Sequence, residues 1–109
     1  MPDVIDRRKS PRFVLIVFAT IAEPGGKKLS ARTSDVSKTG CYIDTLAPLA
    51  KGTRVYVQLR QGRERFETIG TVVYVNPGLG MGIQFHEPVL PDQLEILTRW
   101  LENAARLRP

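Results

Sequence analysis

Hydrophobic and polar residues alternate without a break over residues 54–60. Val55, Val57 and Leu59 fall on one side, and Arg54, Tyr56, Gln58 and Arg60 on the other. Successive side chains of an extended strand point to opposite faces, so this pattern predicts a strand with one buried and one wet face. Similar short segments recur along the chain. Residues 13–22 are apolar and rich in Val, Ile and Phe, and residues 28–36 alternate loosely. Residues 41–45, 66–75 and 79–85 complete a set of six, with Gly70 marking a bulge or a close approach. Turn signals separate them: Pro24-Gly25-Gly26, Lys38-Thr39-Gly40, a loop over 46–53 with Pro48 and Gly52, Gln61-Gly62-Arg63-Glu64, and Asn76-Pro77-Gly78. The period changes only at the end. Over residues 91–106, Leu94, Leu97, Leu101 and Ala104 share one helical face with Trp100 beside them, and Pro91 suits a first helical turn.

Six short antiparallel strands and one helix predict an all-β, six-stranded antiparallel β-barrel with a C-terminal α-helix, since closure removes the exposed edges of an open sheet. The 109 residues make one domain. Residues 1–11, polar and with two prolines, form a flexible arm, and residues 12–109 form the barrel and helix. An apolar fraction of 42% supports a core without disulfides or metal.

The net charge of +5 suits an anionic partner and solubility equally. Cys41 is the single cysteine and His86 the single histidine, so neither a disulfide nor a Cys–His site is indicated. Cys41 reads as a small, half-buried apolar side chain. Glu64, Glu67 and Asp44 are not marked as an acid–base pair, and no Walker-type loop occurs, so the chain reads as a sensor and not an enzyme. Arg7-Arg8-Lys9 ahead of residues 13–22 superficially resembles a signal peptide. That apolar run is too short to span a bilayer, and its removal would delete a strand; no membrane span and a cytoplasmic location follow.

Two polar clusters carry the chemistry. Arg8-Lys9-Ser10-Pro11-Arg12 supplies two guanidinium groups, each able to hold a phosphate or the Hoogsteen edge of guanine in bidentate fashion. Pro11 holds φ near −65° and pushes Ser10 toward extended geometry, so the arm enters the first strand extended. Asp35-Val36-Ser37-Lys38-Thr39-Gly40 supplies a carboxylate that can accept from a guanine edge, a hydroxyl, and a glycine that admits close backbone approach. Each cluster also has a bland reading. The first would be a solvated basic arm, and the second a turn in which Asp and Ser bond nearby backbone.

The conjunction of R-x-x-x-R with D-x-S-x-x-G resembles the signature of PilZ domains, bacterial receptors for cyclic di-GMP. Met81-Gly82-Ile83-Gln84-Phe85 is similar to that family's late G-[MI]-G-[VI]-x-F pattern, so the resemblance covers about residues 7–85. It implies a six-stranded barrel with helical additions. It also implies a cyclic di-GMP site built from Arg8, Arg12, Asp35, Ser37 and Gly40. Arg7 would be a further phosphate contact, leaning toward a stacked ligand pair. Asp35 would also orient one arginine, and Gly40 would spare the ligand a Cβ clash.

The arm would fold over the ligand. Ordering it costs roughly 1–2 kcal/mol per residue, against roughly 1.5–3 kcal/mol for each charge-assisted hydrogen bond. A partner protein, or a second copy in a homodimer, would then read the change, in motility, adhesion or biofilm polysaccharide export.

Two other readings stand beside this one. Some PilZ-like domains work by protein contacts without nucleotide, and these tend to lose the arginine motif that is intact here. A small basic barrel binding single-stranded nucleic acid would use Lys51, Arg54, Arg60, Arg63 and Arg65. Those residues read as a solvated hairpin face, because aromatics are not interleaved with them, and Trp100 reads as helix packing.

Overall fold

The structure, a computed structural model, describes residues 10–107. The expected arm falls largely on residues 1–9, so Arg7 and Arg8 lie outside the described residues. The elements are β1 (Phe13–Val14), β2 (Phe18–Ala22), β3 (Lys28–Val36), β4 (Gly40–Asp44), β5 (Arg54–Gln61), β6 (Glu64–Asn76), β7 (Gly80–Phe85) and α1 (Pro91–Arg106). Neighbours run β1-β3-β2-β5-β6-β7-β4, and a further β3–β4 pairing closes the ring. β1 and β2 both pair with β3 and form two halves of one strand. The result is the expected closed, six-stranded antiparallel barrel with a C-terminal helix.

The expected single strand over 13–22 is corrected: its ladder breaks at residues 15–17. At the break, residues 15–17 stand against Thr33 and Ser34, three against two. Val14 faces Asp35 and Phe18 faces Arg32, while toward β4 the partners step from Thr33↔Ile43 to Asp35↔Tyr42. Relative to β4, Ser34 is therefore an extra residue, a β-bulge. The buried Thr33 side chain fills the break. Its Oγ1 donates to the Leu15 carbonyl at 2.6 Å and accepts from the Val17 N–H at 3.0 Å. Burial still alternates through the break, with Leu15, Val17, Ala19 and Ile21 inside, so the apolar run itself carries no mark of it.

Val55, Val57 and Leu59 point inward as the alternation predicts, and the Phe66 and Phe85 rings pack in a tilted arrangement with centroids 5.2 Å apart. The helix packs on β6 and β1 through Leu97, Trp100 and Leu101, whereas Leu94 stands 37% exposed at the stripe's end. The bulge on β6 lies at Val73, between the pairs Val72↔Ile83 and Tyr74↔Gly82. Gly70 is instead a close approach: a Cβ there would sit 2.8 Å from the Gln84 carbonyl oxygen. Glu64, expected in a hairpin loop, begins β6. Its Oε1 accepts from the Trp100 indole N–H at 2.8 Å and its Oε2 from Arg99 at 2.6 Å. No helix among the described residues is long and apolar enough to cross a membrane.

Candidate functional site

The Ser34 bulge decides where Asp35 points. Thr33 and Val36 are both buried, so the extra residue between them resets the alternation and turns Asp35 outward. Val14 lies opposite Asp35, which makes Arg12 a diagonal neighbour on the same face. Arg12 Nη1 lies 3.1 Å from Asp35 Oδ1, with the two side chains 24% and 27% exposed. An ion pair this wet adds little to stability. Its consequence is directional, since it fixes where one guanidinium group points. Of the two expected arginines, this is the one the described residues include, and it pairs with the carboxylate expected to orient an arginine.

Beyond Asp35 the chain reverses through a tight turn. The Ser37 N–H donates to the Gly40 carbonyl at 2.8 Å. Ser37 Oγ accepts from the N–H groups of Thr39 and Gly40 at 3.1 and 3.2 Å, and lies 3.3 Å from both Thr39 Oγ1 and the Gly40 carbonyl. The buried hydroxyl thus satisfies two backbone donors at the hairpin tip, as Ser does in turns. The Phe85 N–H donates to the Thr39 carbonyl at 2.8 Å and ties the tip to β7. At Gly40 the neighbour that excludes a side chain is β7 itself, because a Cβ would run into the Ile83 carbonyl oxygen.

These pieces frame an open cleft of about 730 Å³. Arg12, Ser37, Thr39 and Gly40 line one side, and Thr71, Gln84 and His86 line the other. Asp35 stands behind Arg12 rather than in the wall. Thr71 Oγ1 and His86 Nε2 are 2.7 Å apart. The second wall was not legible from the motifs. Gln84 is the unspecified position of the late glycine pattern, and Thr71 and His86 meet only through strand pairing across β6 and β7. The cleft thus offers a guanidinium, hydroxyls, an amide, an imidazole and the Glu87 carboxylate, which suits a ligand carrying both an anionic group and polar donor edges.

The late glycines serve packing. A Cβ on Gly82 would collide with the Tyr74 ring, and one on Gly80 with the Ile43 carbonyl oxygen and then the Tyr42 ring. The two rings are 6.0 Å apart, and Asn76 Nδ2 donates to the Tyr42 hydroxyl at 2.8 Å. Cys41 is fully buried, not half-buried. Burial, reinforced by the Asp35 charge and opposed by Arg12, pushes its thiol up to about 12. No group of three or more His, Cys, Asp or Glu that could hold a metal occurs among the described residues.

The family model of the PilZ domain matches residues 6–103. The chain belongs to the PilZ domain family. A comparison with curated proteins finds no match. Among solved structures, the PilZ domain of YcgR from Escherichia coli, with c-di-GMP, aligns with TM-score 0.75 at 20% identity over 93% of both chains. The Bacillus subtilis inhibitor of motility MotI/DgrA aligns with TM-score 0.73 at 16% identity, over 95% of this chain and 54% of that one. This chain therefore spans about half the length of MotI/DgrA. The PilZ domain of CeSA from a cellulose-synthesizing bacterium aligns with TM-score 0.66 at 20% identity, over 86% of this chain and 97% of that one. At these identities the likeness establishes the fold.

Proposed function

We propose that this PilZ domain is a cytoplasmic cyclic di-GMP-binding effector and not an enzyme. Arg8 and Arg12 hold phosphate and guanine edges, Asp35 aims Arg12, and Ser37 and Gly40 shape the turn beneath the ligand. Arg7 adds a further cation. The ligand draws the arm over the barrel, and a protein partner or a second copy reads the altered surface, in motility or biofilm control. The observation that carries this reading is Arg12, fixed by Asp35, at the mouth of the cleft. The cleft volume of about 730 Å³ lies within the ordinary range for ligand sites, about 300–1,000 Å³. The c-di-GMP complex of the YcgR PilZ domain, on the same fold, supports the choice of ligand.

Ser37 and Gly40 have sufficient reasons in turn geometry and strand packing, so a domain without nucleotide would keep them too. The arginines carry the distinction. Calorimetric titration with cyclic di-GMP is the test. Arg8→Ala and Arg12→Ala each weaken binding at least tenfold, about 1.4 kcal/mol, and affinity falls with added salt. Equal affinities for wild type and both variants reject the assignment.

A further inference from the structure

The outer wall of the barrel, away from the cleft, carries a basic row that the fold itself does not use. Strand register places Arg32 beside Phe18, Phe18 beside Arg60, and Arg60 beside Arg65, across β3, β2, β5 and β6. All four side chains are exposed, and Phe18 is 62% accessible at the centre. With strands about 4.8 Å apart, the row spans roughly 14 Å. Arg60 leans over the Phe18 ring, with Cζ 5.8 Å from its centroid. The ion pairs among the described residues are Arg12–Asp35 and Arg99–Glu64, so none of the three row arginines forms an ion pair with another described residue. Like charges directly opposite on neighbouring strands, as Arg60 and Arg65 are, destabilise a sheet. Beside the row runs an open groove of about 650 Å³, bordered by Lys28 and Arg60 and floored in part by Tyr56, Ile69 and Leu90.

We infer that this wall docks an acidic, apolar-anchored segment of a partner protein. Carboxylates of the segment meet Arg32, Arg60 and Arg65, and its apolar side chains cover Phe18 and enter the groove. Charge complementarity selects this occupant. A second copy docked by two-fold symmetry would set the basic row against itself. An extended polyanion such as single-stranded nucleic acid needs an unbroken cationic track, and here carboxylates interrupt it: Asp44 is the strand partner of Arg32 at one end, and Glu67 lines the groove. A short segment with alternating carboxylates and apolar residues fits between them. The surface is separate from the cleft and does not depend on the ligand assigned there.

The test is fluorescence polarisation with a short labelled peptide in which Glu residues flank a Leu-Phe pair. Wild type binds it at least about tenfold tighter than an analogue carrying Lys for Glu. Arg60→Ala combined with Arg65→Ala lowers that affinity at least about tenfold, with an unfolding midpoint that does not fall. Amide resonances of Phe18 and Arg60 shift on peptide addition, while those of Gly40 and Gln84 stay in place. Equal binding by wild type and the double variant overturns the inference, as do shifts confined to Gly40 and Gln84. Preference for oligo-deoxythymidine, or for phosphatidylglycerol vesicles, over the acidic peptide overturns it in favour of nucleic acid or a membrane.

Discussion

Gly40 lies against the backbone of Ile83 so closely that a Cβ on the glycine would strike the Ile83 carbonyl oxygen. Gly40 pairs with Gln84 where β4 meets β7, and a strand backbone cannot swing aside as a side-chain tip can. Gly40→Ala is expected to destabilise the ligand-free protein by about 1–3 kcal/mol, the usual range for overpacking. Denaturant titration checks it, and an unmoved midpoint would refute the clash. Affinity lost in this variant therefore does not by itself assign a ligand contact to Gly40.

The Arg12–Asp35 pair separates stability from binding. Because the pair is partly wet, Arg12→Ala should change unfolding free energy by less than about 1 kcal/mol, while cyclic di-GMP binding falls at least tenfold. If Asp35 acts by aiming Arg12, Asp35→Asn weakens binding in wild type but adds little in the Arg12→Ala background. An equal loss in both backgrounds would mean that Asp35 meets the ligand directly.

Strict alternation at Val55, Val57 and Leu59, the turn glycines, and the helical stripe through Leu97 and Leu101 made the barrel and helix legible, because burial imposes those periods. The Ser34 bulge was not. It adds one residue without changing composition, and its trace in the sequence is the loose alternation of residues 28–36. That bulge is what turns Asp35 toward Arg12, so the motif named the pair but not the device that joins it. Gly40 was legible as a position needing glycine. Which neighbour excludes a side chain there depends on β4–β7 pairing, and the meeting of Thr71 with His86 in the second wall depends on β6–β7 pairing. Glu64 looked like an unmarked loop acid because its partners stand 35 and 36 residues away on the helix.

Glu64 should prove a structural anchor. Trp100 is 2% exposed, and its indole N–H has Glu64 Oε1 as acceptor. Glu64→Leu leaves that donor unsatisfied and should lower stability by about 1–3 kcal/mol. Glu64→Gln retains an acceptor and loses chiefly the exposed Arg99 bridge, so its cost should stay below about 1 kcal/mol. Urea unfolding followed by Trp100 fluorescence distinguishes the two, and equal losses would show that the indole bond adds nothing.

Cys41 sets a pH dependence of known sign. Its thiol titrates near 9.0 when unperturbed and is pushed up to about 12 in the fold, first by burial and then by the Asp35 charge, against Arg12. Below pH 9 both states keep the proton, and the contribution is constant. Between about pH 9 and 12 the unfolded chain releases its proton while the folded thiol holds it, so stability falls as pH rises through that window. Cys41→Ala lacks this loss. The variant is less stable near neutrality because of the cavity it leaves, and its deficit relative to wild type should narrow at high pH. Paired denaturant titrations at about pH 8 and about pH 10.5 measure this. A deficit of the same size at both pH values would mean that the folded thiol ionises as freely as the unfolded one.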